Sequence, residues 1–238
     1  MLESWYEGKH GRQVCLHDIL GGLTNGYENH FPVEGPQKIP VLSAASIESI
    51  PKVVLPFDND LPESECLDVG LHFYCDDRKF ISVVADPLRW VSRFAKYKCV
   101  LTPDISLSDS MAPWQRVKNT VYSRAVGATW QAHGLQVIPS IRWADRTDYE
   151  FVGVGIPRGS VVAFGALGAY RDRSKRVIFQ HGVEAMVERL EPSAIVVYGK
   201  LDAKFQSRLE AKVQVNNLFN PRLANTSNHD APMNLRLL

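Results

Sequence analysis

KCVLTPDIS at residues 98–106 decides the fold, because it combines a short apolar run with a polar end. The same pattern recurs along the chain. An apolar run of this length, bounded by proline and polar residues, is typical of a strand buried on both faces of a parallel sheet. Three later segments share the pattern: LQVIPSIRWAD (135–145), SVVAFGA (160–166) and SAIVVYGK (193–200). Two earlier runs, KVVLPF (52–57) and VGLHFYC (69–75), are further strand candidates.

Amphipathic helices are predicted between these strands. Pro113 opens a long helix that Gly134 ends, with Trp114 at the head of its apolar face. An earlier helix follows Asp86 and Pro87, with Leu88 on its core face. Ser108-Asp109-Ser110 is interpreted as the N-cap region ahead of Pro113. The segment 142–159 has no room for a long helix, although Asp145 can cap a short one, and a final helix and strand are expected at 202–217.

The alternation of strands and helices predicts an α/β fold of repeated βα units with a mainly parallel sheet. Strand starts lie about 25 to 35 residues apart, the length of one βαβ unit with its right-handed crossover. We find no point at which the strand order must reverse, so a barrel-like, irregular TIM-type arrangement is preferred over an open doubly wound sheet. We predict an irregular, glycine- and proline-rich arm at 1–50, one α/β domain at 51–220 and a disordered tail at 221–238.

Composition excludes several classes of protein. The 238 residues carry 27 basic and 26 acidic side chains, a net charge of +1, which gives no general attraction to nucleic acid or anionic membranes. The four cysteines lack CxxC spacing, and the histidines show no HxH or HExxH pattern, so no metal site is predicted. The absence of a signal peptide and of a long apolar span indicates a cytoplasmic protein without membrane contact.

Polar residues at the strand ends form the candidate site, because parallel strands place their carboxyl ends at one edge of the sheet. Asp104 and Asp145 are the candidate catalytic acids, and a divalent ion is conceivable where these two carboxylates meet. The alternative roles are an Asp104 that caps its own loop and an Asp145 that caps a short helix. The candidate ligand-binding residues are Ser106, Arg116, Tyr122, Arg124, Arg142, Trp143, Gly165, Tyr198, Gly199 and Lys200.

Arginines and one tryptophan give this rim its chemistry. Arg116 and Arg124 are eight residues apart on one helix, so they lie on nearly the same side and can clamp a phosphate. Alternatively, both pair with acids of a neighbouring element. Arg142 and Trp143 offer a cation and a stacking plane for a nucleobase, unless Trp143 is a lid over the end of the sheet.

Several motifs resemble one family. They are PDISLSDSM (103–111), the helix with Tyr122, Arg124, Gly127 and Trp130, and then GLQVIPSIRWAD (134–145), GIPRGSVVAFG (155–165) and ERLEPSAIVVYG (188–199). In sequence and order they are similar to the bacterial and phage family called domain of unknown function 4417 (DUF4417). The likeness covers about residues 68–200, although members usually have an aromatic residue in place of Ile105. The resemblance implies a protein of phages or other mobile elements, and it implies no activity.

Three functions remain open on this basis. The first is an enzyme that acts on a nucleotide or nucleic acid, with Asp104 and Asp145 as acid, base, nucleophile or metal ligands. The second is a non-catalytic binding or regulatory protein that holds a host protein or a signalling nucleotide. The third is a DNA-binding replication factor, against which the near-neutral net charge of +1 counts.

Overall fold

The computed structural model describes residues 31–219, together with two short strands near the start of the chain. These strands, β1 (Trp5–Glu7) and β2 (Gln13–Cys15), pair antiparallel, as do β3 (Val33–Glu34) and β4 (Ile39–Pro40). The predicted tail at 221–238 lies outside the described residues, as does most of the first half of the predicted arm.

Eight further strands form two parallel sheets of four. The first sheet contains β5 (Val53–Pro56), β6 (Val69–His72), β7 (Cys99–Leu101) and β8 (Val137–Ile138). The second contains β9 (Ser140–Ile141), β10 (Val162–Gly165), β11 (Ala194–Tyr198) and β12 (Gln214–Asn217). Every pairing in these sheets is parallel, which confirms the predicted α/β fold class with its mainly parallel sheet.

Pro139 joins the two sheets, because it separates β8 from β9 by a single residue. The backbone amide of Thr102 bonds to the carbonyl oxygen of Ile138 at 3.0 Å, whereas the carbonyl oxygen of Pro139 accepts from Ala163 at 2.8 Å. The chain therefore changes pairing partner at a residue that has no N–H to leave unpaired. Strand order follows the sequence from β5 to β12 without a reversal, and the hydrogen bonds among these eight strands form two sheets and no closed ring.

A layer of small and branched side chains fills the space between the two sheets. Val54, Leu101 and Ile138 of the first sheet pack there with Ala163 and Val196 of the second, and all are at most 2% exposed. Alternate residues of the same strands point the other way, towards the helices. This inward and outward alternation is the pattern of a sheet that is covered on both faces.

Five helices occur among the described residues. They are α1 (Asp77–Ala85), α2 (Val91–Phe94), α3 (Pro113–Ala132), α4 (Arg173–Leu190) and α5 (Ala203–Glu210). The long helix α3 begins at Pro113 and ends before Gly134, as predicted, and Gly134 has the positive φ of 84° that favours glycine.

Three predicted details of the helices are wrong. The residue before α3 is Ala112, whose amide donates to the Gln115 side chain at 3.0 Å, so Ser108-Asp109-Ser110 does not cap the helix. Trp114 is 64% exposed, because at the first turn of α3 the helix has not yet reached the core. After Asp86 the chain forms a 3₁₀ turn before α2, and this tighter winding leaves Leu88 54% exposed.

The described part of the arm closes the amino-terminal ends of the strands. The amide of Ala45 bonds to Ser160 Oγ at 2.9 Å, and the amide of Val161 bonds back to the carbonyl oxygen of Ala45 at 2.8 Å. Leu42 is 2% exposed and bonds to the carbonyl oxygen of Gly155. The opposite, carboxyl-terminal edge is where the chain leaves an open cleft. Within the described part of the chain, the helices are too short or too polar to traverse a bilayer.

Candidate functional site

A cleft of about 780 Å³ lies at the carboxyl ends of β6, β7, β9 and β10. The strand-end segments and the first turns of α4 form its wall, which is where parallel α/β proteins bind ligands. The residues that line the cleft include Tyr74, Cys75, Asp104, Ser106, Leu107, Asp109, Arg142, Trp143, Gly165, Leu167, Arg171, Asp172, Lys175, Ile178 and Phe179.

Asp104 and Arg142 form an ion pair in the wall of the cleft. Arg142 Nη1 donates to Asp104 Oδ2 at 2.7 Å, and the two side chains are 44% and 7% exposed for the arginine and the aspartate, respectively. Burial raises the pKa of Asp104, and the charge and hydrogen bond of Arg142 partly oppose that rise. A carboxyl group in this setting retains its proton to higher pH than a surface aspartate, which suits a general acid or base.

Asp77, which the sequence reasoning did not select, lies beside this pair. It is the first residue of α1, and its two carboxylate oxygens accept from the amide and the hydroxyl of Ser106, each at 3.0 Å. Burial raises the pKa of Asp77, while the bonds from Ser106 lower it. The signal in the sequence was Asp76-Asp77 directly after the strand candidate VGLHFYC, the same position that drew attention to Asp104.

A stack of aromatic rings supports the floor of the cleft. Tyr74 lies parallel to Tyr198 with ring centroids 5.1 Å apart, and Tyr74 Oη lies 3.1 Å from Ser140 Oγ. Burial raises the pKa of Tyr74 far above its usual value, so its hydroxyl stays protonated and polar without charge. Gly165 permits this packing, since a Cβ there would lie 2.7 Å from the Tyr74 ring. Tyr198 is 3% exposed and belongs to the layer between the sheets.

Trp143 lines the cleft, and its ring packs against α4. Its Nε1 donates to the carbonyl oxygen of Ile178 at 3.2 Å, and its ring stacks on Phe179 with centroids 6.1 Å apart. The ring lies so close to α4 that a Cβ on Gly182 would be 2.0 Å from Trp143 Cε2. The tryptophan is therefore fixed by α4, and what it offers to the cleft is a rigid apolar wall.

Asp145 and Arg116 form a second ion pair, apart from the cleft lining. Arg116 Nη1 lies 2.7 Å from Asp145 Oδ2 and 2.9 Å from Asp148 Oδ1. Asp145 also caps a 3₁₀ turn by accepting from the amide of Thr147 at 2.8 Å. Bonds from Thr147 and Arg116 lower the pKa of Asp145. The structure therefore brings Asp104 and Arg142 together in the cleft and places Asp145 with Arg116 elsewhere.

Arg124 lies behind the cleft and is 1% exposed. It donates to the carbonyl oxygens of Ser140 and Val152, at 3.1 Å and 2.7 Å, and no carboxylate of the described residues pairs with it. Burial lowers its pKa to about 10. A cavity of about 20 Å³, room for one water molecule, is lined by Arg124, Asp104 and Ser140.

The remaining candidates lie outside the cleft. Tyr122 is 5% exposed and packs in the apolar cluster between the first sheet and the helices. Lys200 is exposed, and Gly199 turns the chain after β11 with a φ of 131°. Within residues 31–219, histidine, cysteine, aspartate and glutamate side chains do not gather in groups of three that could hold a metal ion.

Cations and acids alternate along the far wall of the cleft. Arg171 and Lys175 line it together with Asp172, whose carboxylate caps α4 by accepting from the amide of Lys175 at 2.8 Å. The charged segment 171–175, which runs into the first turn of α4, thus borders the same cleft as Asp104 and Arg142. The wall carries charges of both signs, which is unlike the single positive stripe of a protein that grips a nucleic acid backbone.

Fold and cleft define the class: a parallel α/β protein with a mixed-charge cleft at the carboxyl ends of its strands. A family model, described as domain of unknown function (DUF4417), matches residues 31–216. The chain belongs to this family, as the motifs of its sequence indicated.

Two curated relatives are similar to this chain, and both are phage proteins. The "Gene 1 protein" of Mycobacterium phage L5 is 34% identical over 132 residues, which cover 56% of this chain and 58% of the relative. The protein with the same description in Mycobacterium phage D29 is also 34% identical over 132 residues, covering 56% of this chain and 49% of the relative. The match therefore spans about half the length of these relatives. No solved structure matches the chain.

Proposed function

We propose that the protein is an enzyme of a phage or mobile element that acts by acid–base chemistry on a nucleotide or nucleic acid bound in the cleft. One observation carries the proposal: Asp104, 7% exposed, lines a cleft at the carboxyl ends of the strands and is bonded to Arg142. Its raised pKa follows from burial. Catalytic acids and bases are commonly carboxyl groups with a shifted pKa that line a cleft large enough for a ligand.

The other walls suit a ligand with a phosphate and a ring. Arg142, Arg171 and Lys175 supply three cationic side chains along the cleft, and Trp143 supplies an apolar plane. In this proposal the cations bind phosphate oxygens and Trp143 contacts the base. Asp104 exchanges the proton with the ligand. Tyr74 orients the Asp104 carboxyl group through Ser140, whose hydroxyl bonds to both side chains.

The proposal is tested by comparing the wild type with Asp104→Asn and with Asp109→Asn. Both variants remove one negative charge from the cleft, but Asp109 is exposed. Calorimetric titration with a panel of nucleotides and short oligonucleotides measures binding, and chromatography of the mixtures measures turnover. We expect Asp104→Asn to lose turnover by about a hundredfold or more while affinity stays within about threefold. Asp109→Asn is expected to retain both.

A binding protein without catalysis is the second candidate. It is favoured by the apolar part of the cleft, whose lining includes Leu107, Ile178 and the 50% exposed Leu167. Clefts that bind small ligands are lined mainly by apolar side chains with a few polar groups among them. The same experiment separates the two: binding by the wild type with no turnover of any member of the panel supports a binding protein whose ligand is a nucleotide. No binding at all contradicts the enzyme and leaves a host protein as the partner of this second candidate.

A further inference from the structure

Asp77 and Ser106 make a contact that bridges two strand ends. Asp77 follows β6 at the start of α1, and Ser106 follows β7, two residues after Asp104. The carboxylate accepts from the Ser106 amide with one oxygen and from the Ser106 hydroxyl with the other, each at 3.0 Å. Because both oxygens bind the same residue, the loop that carries Asp104 is fixed against α1 at two points.

We propose that Asp77 is a positioning residue of the site, which holds the Asp104 loop through Ser106 and acts as a second negative charge on the pair of Asp104 and Arg142. This inference rests on the proposed function of the cleft. It adds Asp77, which does not line the cleft, to the residues of the site. The neighbouring residue Asp76 has a different role, because it caps α1 and pairs with Arg78 at 2.7 Å.

Charge links Asp77 to the pair. The negative charge of Asp77 raises the pKa of Asp104, and that of Asp104 in turn raises the pKa of Tyr74. The positive charge of Arg142 lowers the pKa of both aspartates. Both acids thus feel the charge of one guanidinium group, which is bonded to Asp104, and we expect their titrations to be linked.

The groups that face Asp104 come from five parts of the fold. Arg142 follows β9, Tyr74 follows β6, and Ser140 begins β9. Asp77 approaches from α1, and Arg124 of α3 lies across the 20 Å³ cavity. Since Asp77 is the nearby acid, it is the group whose removal should make Asp104 a stronger acid.

The test follows the titration of individual carboxyl carbons by carbon-13 NMR in the full chain, with Asp104→Asn used to assign the Asp104 signal. We expect Asp77→Asn to lower the proton affinity of Asp104 by about threefold or more, because a like charge disappears. Asp76→Asn is the matched control, since it removes the same charge one residue away and asparagine also caps helices. It should change the proton affinity of Asp104 much less.

A reciprocal measurement protects the test if Asp77→Asn does not fold. Coupling between two sites acts equally in both directions, so Asp104→Asn must lower the proton affinity of Asp77 by the same factor. The inference is wrong if neither variant changes the proton affinity of the other aspartate. It is also wrong if Asp76→Asn changes the proton affinity of Asp104 as much as Asp77→Asn does. The titrations need no ligand, so a coupled pair in a protein that binds no nucleotide would leave this inference standing and overturn the proposed function.

Discussion

Two arginine–aspartate sites lie a few residues apart in the chain and differ in almost every physical property. The pair of Arg142 and Asp104 borders the cleft, with an arginine that is 44% exposed and an aspartate whose pKa is raised by burial. In the closed site, that of Arg116, the arginine is 6% exposed and binds Asp148, which is 1% exposed, and Asp145, which is 38% exposed and has a lowered pKa. In the proposed function the first site supplies the acid–base chemistry, whereas the second ties α3 to the segment that follows β9.

The comparison shows that the residue types alone do not distinguish an ion pair that borders a cleft from one that lies outside it. Both sites combine an arginine with two aspartates, Asp77 being the second acid of the open site. In the closed site the second acid, Asp148, is 1% exposed and accepts from the backbone amide of Ala144 at 2.7 Å. The two sites differ in the partners of their polar atoms. In the closed site protein groups bind both aspartates, whereas in the open site Arg142 also faces the cleft.

The largest expected effect is on the closed site. Arg116→Met leaves Asp148 buried without its counter-charge, and the loss of one partner of a buried pair costs about 3 to 5 kcal/mol in the free energy of unfolding. Urea unfolding of the variant and the wild type at pH 7 measures this change.

Two matched variants give smaller losses in the free energy of unfolding with which that of Arg116→Met can be compared. Arg142→Met should cost less than about 1 kcal/mol, because Arg142 is already half in solvent and Asp104 can take up a proton. Lys52→Met removes the exposed ion pair of Lys52 and Asp68 and should cost at most about 0.5 kcal/mol. Equal losses for Arg116→Met and Arg142→Met would remove the distinction between the closed and the open site.

A smaller effect is expected where Trp143 packs against α4. Gly182→Ala forces either Trp143 or α4 to move, because the added Cβ would lie 2.0 Å from the indole ring. Overpacking of this kind costs about 2 kcal/mol, in spite of the higher helix propensity of alanine. Urea unfolding measures the loss, with the exposed Glu188→Ala of the same helix as the control. An increase in stability, as for an ordinary glycine in a helix, would show that Trp143 is not fixed there.

The smallest expected effect concerns pH and has opposite signs at the two sites. The pKa of Asp104 is higher in the folded than in the unfolded chain, so the folded state binds more protons between the two values. The free energy of unfolding therefore falls as pH rises through that window. Asp104→Asn should be more stable than the wild type above the window and should lose this advantage below it.

Asp145→Asn supplies the contrast. The folded pKa of Asp145 is lowered, so its contribution to stability is present above the unfolded value and is lost as pH falls through the folded one. The variant should be less stable than the wild type at pH 7 and should approach it in acid. Unfolding curves at several pH values check both, and the same sign for the two variants would contradict the assignment.

Much of the fold could be predicted from the chain, because buried parallel strands are continuous apolar runs that need no partner to be recognised. All six predicted strand segments from residue 52 to 200 contain strands, and Asp145 caps its short 3₁₀ turn as one alternative had it. The helix α1 was missed, and Asp77 with it, since nine residues after a strand with only three buried apolar side chains give a weak pattern.

The pairing of the polar residues could not be predicted in the same way. Arg116 and Arg124 lie on one side of α3, but eight residues of helix rise about 12 Å, so they meet different neighbours. One reaches the acids after β9, and the other reaches carbonyl oxygens behind the cleft. Which acid pairs with which arginine depends on the approach of distant segments, and spacing along one helix carries no information about that.

The single residue between β8 and β9 also has a consequence for synthesis of the protein. Each sheet is built from one continuous part of the chain, residues 53–138 and 140–217, so the ribosome releases the first four strands before any of the second four. The first sheet can pair early, but Val54, Leu101 and Ile138 stay in water until the second sheet arrives to cover them. A nascent chain of this family thus exposes an apolar surface for as long as translation of its second half takes, and slow translation or truncation after Pro139 favours aggregation.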